Sequence, residues 1–154
     1  MRNWILLILV ISLGAFLYFQ PKDEGFSIST IDPASVSKIE ISKKGAPPVL
    51  LTKQDGKWKI VSPVRQDANP QKVNDLLSVL KARSDQRLDP GDLSRFELSS
   101  PQLSLSFDGK KYDFGMLNPL TGQQYLHAGD SVYLVSAKYA LIPALSELAN
   151  AGTP

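Results

Sequence analysis

The sequence predicts an α+β fold: an N-terminal transmembrane helix, then a mostly antiparallel, hairpin-built sheet domain. One amphipathic helix lies in the middle of that domain and one at its C-terminus. Three observations predict it. The run from Trp4 to Phe19 carries no charged residue. Two Asp-Gly pairs, Asp55-Gly56 and Asp108-Gly109, each stand between segments of alternating apolar residues. Between these hairpins, Val73, Leu76, Leu77 and Leu80 recur at helical spacing behind Asn69-Pro70. Runs of strands broken by single helices favour an antiparallel sheet with its helices on one side.

Residues 1–21 read as a membrane anchor. Trp4, Ile5, Leu6, Leu7, Ile8, Leu9, Val10, Ile11, Leu13, Phe16, Leu17, Tyr18 and Phe19 make a segment that is apolar all round, unlike a surface helix with one apolar stripe. Roughly 17 residues at about 1.5 Å each reach the short end of what spans a bilayer. Trp4 and Tyr18 stand near its two ends, where interfacial aromatics are favoured, and Pro21 closes it before Lys22, Asp23 and Glu24. A cleaved signal peptide is the competing reading, but a cut at Ser12 or Gly14 falls inside the apolar run, and the residues beyond are bulky. Arg2 and the terminal amine precede the segment, so the expected topology keeps the N-terminus in the cytoplasm. The expected location is the inner membrane, single-pass, with the C-terminal domain in the periplasm or outside. Residues 22–30 are then a tether and 31–150 the extracytoplasmic domain.

The domain opens with an extended segment in which Ile39 and Ile41 share one face, opposite Lys38, Glu40 and Ser42. "PPVLLTK" and "KWKIV" flank Asp55-Gly56, a two-residue hairpin signal because both positions tolerate positive φ. Alternation places Trp58 with Ile60 on the apolar face, as a core or half-buried residue; the other reading is an exposed binding aromatic. Asn69 is a helix N-cap and Pro70 suits the first turn. "RSDQRLDPGDLSRFELSSP" reads as a connection with at most one helical turn, held down by Leu88, Leu93 and Phe96.

A second hairpin alternates Leu103, Leu105 and Phe107 with serines, turns at Asp108-Gly109, and returns through Tyr112, Phe114 and Met116. A third joins "QYLHA" to "SVYLV"; the latter is apolar on both faces and reads as a central strand. "SAKYALIPALSELANAG" reads as the terminal helix, with Leu141, Leu145 and Leu148 on one stripe and Pro143 kinking it or starting its second part.

Composition narrows the chemistry. The formal net charge is +2, with 17 basic and 15 acidic residues interspersed, so nucleic acid lacks its electrostatic footprint. There is no cysteine, hence no disulfide, thiolate nucleophile or Cys-based zinc site. His127 is the single histidine, with no nucleophile-elbow motif to accompany it, and it reads as a structural or surface residue. Asp108, Asp113 and Asp130 read as turn chemistry and solvated strand face, and Asp89 and Asp92 as loop residues. No catalytic residue, metal ligand or cofactor is assigned.

"IDPASVSKIEI", "LLTKQDGKWKIVSPVRQDANPQKVNDLLSVLKA", "RFELSSPQLSLSFDGKKYDFGM" and "YLHAGDSVYLV" together resemble the domain of unknown function 4340 family. The similarity runs over roughly residues 30 to 140 and rests on the order and spacing of these segments. The chain departs from the pattern at "RFELSSP", where Glu97 replaces the usual glycine. The resemblance implies a bacterial, membrane-anchored extracytoplasmic domain, considered alongside transport and gliding-type export systems, and it brings no catalytic residues.

The functional expectation is a non-catalytic anchored module that binds a membrane or envelope protein. Tyr112, Tyr125 and Tyr133 are its candidate contact residues, and exposed sheet edges offer strand addition. The tyrosines filling the core is the competing reading for each. A small extracytoplasmic hydrolase or a small-ligand-binding domain is the alternative function.

Overall fold

The computed structural model describes Ser12 and residues 25–149. The strands are β1 (Phe26–Ser27), β2 (Lys38–Lys43), β3 (Val49–Gln54), β4 (Lys57–Ser62), β5 (Gln66–Asp67), β6 (Arg83–Ser84), β7 (Arg87–Leu88), β8 (Leu103–Phe107), β9 (Lys110–Leu117), β10 (Gln124–Ala128) and β11 (Ser131–Val135). Helix α1 (Pro70–Leu77) runs on into a 3-10 turn at Ser78–Lys81, and α2 (Leu145–Leu148) is a single turn. Nine strands form one sheet in the order β5-β4-β3-β2-β8-β9-β10-β11-β7, every pair antiparallel; β1 and β6 form a separate two-stranded ribbon. The domain is therefore a mostly antiparallel sheet with few helices.

The turns hold it in register for the reason their residues announce. Asp55 and Gly56 have φ of 50° and 77°, and Asp108 and Gly109 have 48° and 88°, so both hairpins use central residues in the left-handed region. Alternation then sends Ile39, Ile41, Leu51, Ile60, Leu105, Phe107, Tyr112, Phe114 and Leu126 to one face, all of them buried. Helix α1 covers that face with Val73, Leu76 and Leu77, its N-terminus closed by the Asn69 side chain, which accepts from the amides of Gln71 and Lys72. Trp58 is half-buried against this core, beside Ala34, Leu77 and Lys81. Strand β11 is buried along its whole length between β10 and β7.

The opposite face is largely polar but carries a second apolar cluster. Leu98, Val132 and Leu134 are buried outside the main core. The segment around the 3-10 turn Leu93–Phe96 crosses that face here. The Phe96 ring meets Tyr125 at 4.7 Å, and the Leu98 side chain lies over Gly115. Gly115 is a strand-interior glycine whose φ is ordinary; it is required because a methyl there would overlap the Phe96 carbonyl. Glu97 ends the turn at φ 57°, ψ 28°. The turn keeps the left-handed conformation that a glycine would favour, with glutamate in that place.

Four expectations are corrected. The terminal segment is not a continuous helix: a 3-10 turn at Ala137–Ala140 and the turn α2 flank an irregular stretch at 141–144. Leu141 leaves the stripe and is 79% exposed, because Pro143 supplies no amide and drives its predecessor to extended backbone. Residues 26–28, expected in a tether over 22–30, belong to the fold: Phe26–Ser27 pair with Arg83–Ser84, and Ile28 is buried. The sheet edges are two-residue strands, β5 and β7, which leave little ladder for strand addition. The fourth correction concerns the tyrosines, below. Among the described residues no helix is long and apolar enough to cross a membrane; the anchor residues Trp4 to Phe19 lie outside the described residues, Ser12 excepted.

Candidate functional site

An apolar concavity lies at the end of the sheet where β2 leaves and β3 begins. The loop after β2, the Pro63 bend after β4 and the segment before α2 surround a groove of about 480 Å³. Val49, Pro47, Pro63, Ile142, Pro143 and Leu145 supply most of its walls, with Lys43 and Glu147 at the rim. Three of these residues are prolines and have no amide to offer, so the groove recognises by shape and apolar contact. Glu147 is already engaged: its Oε2 accepts from the Ala144 amide at 2.8 Å and closes the first turn of α2. Exposed Val64 and Leu141 each stand next in sequence to a groove residue.

The polar face carries a row that looks catalytic by residue type. Ser104, Asp113 and His127 are aligned across β8, β9 and β10 as cross-strand partners. The Ser104 hydroxyl donates to Asp113 Oδ1, and His127 Nδ1 stands 3.9 Å from Asp113 Oδ2. The order defeats nucleophilic catalysis. A hydroxyl is activated when imidazole stands between it and the carboxylate, whereas here the carboxylate stands in the middle. Ser104 therefore gives its hydrogen to a carboxylate and not to the imidazole.

The other acidic candidates serve their own loops. Asp89 Oδ1 accepts from the Gly91 amide at 2.9 Å. Asp92 Oδ1 accepts from the Ser94 amide at 3.0 Å and from its hydroxyl; the hydroxyl bond first, then the amide, hold the Asp92 carboxyl below its ordinary range. Asp108 reaches further. Its Oδ1 accepts from the Ser37 hydroxyl and the Lys38 amide, both at 2.8 Å, tying the β8–β9 turn to the start of β2. Asp55, in the same type of turn, makes no such bond.

The three candidate contact tyrosines are not brought together as a surface. Tyr112 and Tyr133 are buried at 3% and 7% exposure on the core face of β9 and β11. Tyr112 donates its hydroxyl to Ser29 Oγ at 2.7 Å, and burial pushes its phenol above the ordinary value despite that bond. Tyr125 is half-buried under Phe96, with the Asn118 amide donating to its hydroxyl at 3.2 Å. Alternation accounts for the placement: the pleat that brings Leu105 and Leu126 to the core brings Tyr112 and Tyr133 with them. Sequence reasoning missed the groove instead. Its one signal was the spacing of Pro47, Pro63 and Pro143 beside apolar residues, which becomes a site only when folding collects them.

A family model described as a domain of unknown function, DUF4340, matches residues 58–150. The chain belongs to that family. The DUF4340 match begins at Trp58, so it takes in α1, the whole C-terminal half of the sheet and the α2 side of the groove, and leaves β2 and β3 outside. No curated protein and no solved structure matches the chain.

Proposed function

We propose that this DUF4340 chain is a non-catalytic module, anchored by its N-terminal segment in the inner membrane with the folded domain outside. There it serves as a protein-binding, accessory component of an envelope or transport-associated complex. The observation that carries this reading is the proline-walled groove, which is open, apolar and free of paired acid–base groups. An apolar segment of a membrane or envelope protein fits such walls, because burying side chains there needs no backbone donors in return. The uncharged run from Trp4 to Phe19 supports the anchor, and a short connection to Gly25 raises the effective concentration of membrane partners. The Ser104–Asp113–His127 order speaks against the hydrolase alternative. A small apolar ligand is the second reading, favoured by a groove volume inside the about 300–1,000 Å³ range of ligand pockets.

Two experiments test it. A reporter active only outside the cytoplasm, fused after Pro154, is expected to be active; an inactive fusion refutes the topology. The full chain, extracted in mild detergent after crosslinking in cells, should carry one stoichiometric protein partner. Ala46→Arg, at an exposed position in the groove wall, should abolish that capture without unfolding the domain. Capture unchanged by Ala46→Arg refutes the groove as the contact, and displacement by a small apolar compound with no protein partner selects the ligand reading.

A further inference from the structure

A second groove, of about 350 Å³, lies at the opposite end of the sheet. One wall is the segment Ser27–Thr30, and the other is Lys110, Lys111 and Gly129, at the turns that follow β8 and β10. Tyr112 and Tyr133 form its floor. We propose that this groove seats the phosphodiester headgroup of an anionic phospholipid in the bilayer that holds residues 1–21, an inference that rests on the anchor reading above.

Chain length places the groove at the bilayer. The apolar run ends at Phe19, and the described fold resumes at Gly25. The five steps from Gln20 to Gly25 span at most about 18 Å, even fully extended. There is no slack beyond that point. The Arg83 guanidinium donates to the Gly25 carbonyl, the Ile28 amide donates to the Ala82 carbonyl at 3.4 Å, and the Tyr112 hydroxyl bonds Ser29. The wall made by Ser27–Thr30 is thus pinned to the fold on one side and joined to the anchor on the other. Phe26, half exposed on β1, adds an aromatic ring where the chain comes off the membrane.

Charge selects the occupant. Lys110 and Lys111 are exposed, and the lining contains no carboxylate. Of the acidic residues near it in sequence, Asp108 is turned to Ser37 and Lys38 and Asp113 to Ser104, while exposed Asp130 follows Gly129 outside the lining. Two ammonium groups with the hydroxyls of Ser29, which accepts from Ile31 and Tyr112 and keeps its own hydrogen, and Thr30 suit a phosphate oxyanion and repel a cation. A lipid phosphate is the source within reach of a tethered groove. The apolar groove then faces away from the bilayer, one strand length off, or about 20 Å for six residues.

The test uses the full chain in lipid nanodiscs. Because the chain has no cysteine, Asp130→Cys, exposed beside the groove and outside its lining, and Ala46→Cys each accept a single fluorophore, one at each end of the sheet. Discs of mixed phosphatidylglycerol and phosphatidylcholine carry a headgroup nitroxide quencher. Quenching is expected to be several-fold stronger at position 130 than at 46. The double change Lys110→Glu with Lys111→Glu, on exposed side chains, should lower it toward the level at 46 with the melting temperature unchanged. Equal quenching at the two positions, or a contrast indifferent to the lysine changes, overturns the headgroup site while leaving the anchor intact. A contrast abolished by inorganic phosphate yet indifferent to phosphatidylglycerol overturns it in favour of a free-anion site. A full chain that alkaline carbonate strips from the discs brings down the anchor and this inference together.

Discussion

Replacing Asp108 by asparagine removes one charge from the junction between β8–β9 and β2 and leaves the backbone as it was, since asparagine tolerates the left-handed φ of 48°. The carboxylate accepts from the Ser37 amide at 3.1 Å through Oδ2, and from the Ser37 hydroxyl and Lys38 amide at 2.8 Å through Oδ1. Bonds to a charged acceptor are worth about 1.5–3 kcal/mol each when sheltered. Asp108 is exposed, so the lower end applies, and the neutral amide retains roughly half of it. The expected loss is about 1–1.5 kcal/mol for Asp108→Asn, and about 2–3 kcal/mol for Asp108→Ala, which also strains a left-handed residue. Burial raises the Asp108 pKa, but the Ser37 hydroxyl and the amides of Ser37 and Lys38 outweigh it, and the net direction is down. A depressed carboxyl stabilises above its ordinary value, about 3.9, and loses that stabilisation as pH falls through the folded-state value. Urea titrations of a domain starting at Gly25, followed by Trp58 fluorescence, should therefore separate wild type from Asp108→Asn at pH 7 and narrow the difference as acid carries the carboxyl through its lowered range. Asp55→Asn, in the turn without a distant partner, is the control and should shift the midpoint little. A difference below about 0.3 kcal/mol at pH 7, or one that persists undiminished in acid, would refute the assignment.

Three further outcomes follow from packing. Trp58→Ala should cost about 2–3 kcal/mol, less than the about 3–5 of a fully buried tryptophan, because the ring is half-buried; a circular-dichroism melt reads it, and no change would place the ring on the surface. Glu97→Gly should raise stability by about 0.5–1 kcal/mol, since glycine relieves the left-handed strain but gains freedom in the unfolded chain; a lower urea midpoint would contradict this. Gly115→Ala should cost about 1–3 kcal/mol by pushing the Phe96–Leu98 segment off the sheet, seen as faster proteolysis between Asp89 and Pro101. Unchanged cleavage there would mean that the segment does not rest on Gly115.

Much of this fold is legible in residue order because its signals are local. An Asp-Gly pair between alternating segments specifies both the turn and the faces of its strands, and Asn69-Pro70 specifies a helix start. The two-residue strands at 26–27, 66–67, 83–84 and 87–88 are invisible for the opposite reason: two residues carry no period, and only their partners make them strands. Leu98 looked like a loop residue, although Gly115 in a strand interior was a sign that backbone passes close by. The terminal segment misled because alanine and leucine favour helix, while Pro143 decides the backbone. Neither groove was legible, since each gathers residues from turns far apart in sequence.

The seam between β2 and β8 has a consequence in time. Hairpins β3–β4, β8–β9 and β10–β11 close within a few residues and can form early, whereas β2 finds its second neighbour only across the chain from Ile39 to Phe107. The N-terminal strands with α1 must therefore wait, one edge of β2 unpaired, until residue 107 has emerged from whatever machinery delivers the chain. Among the ladders of the sheet this seam closes the longest loop, so substitutions along it should slow folding, while those in the outer hairpins should mainly hasten unfolding. A nascent chain halted before Phe107 would carry an open strand edge that the finished protein never shows.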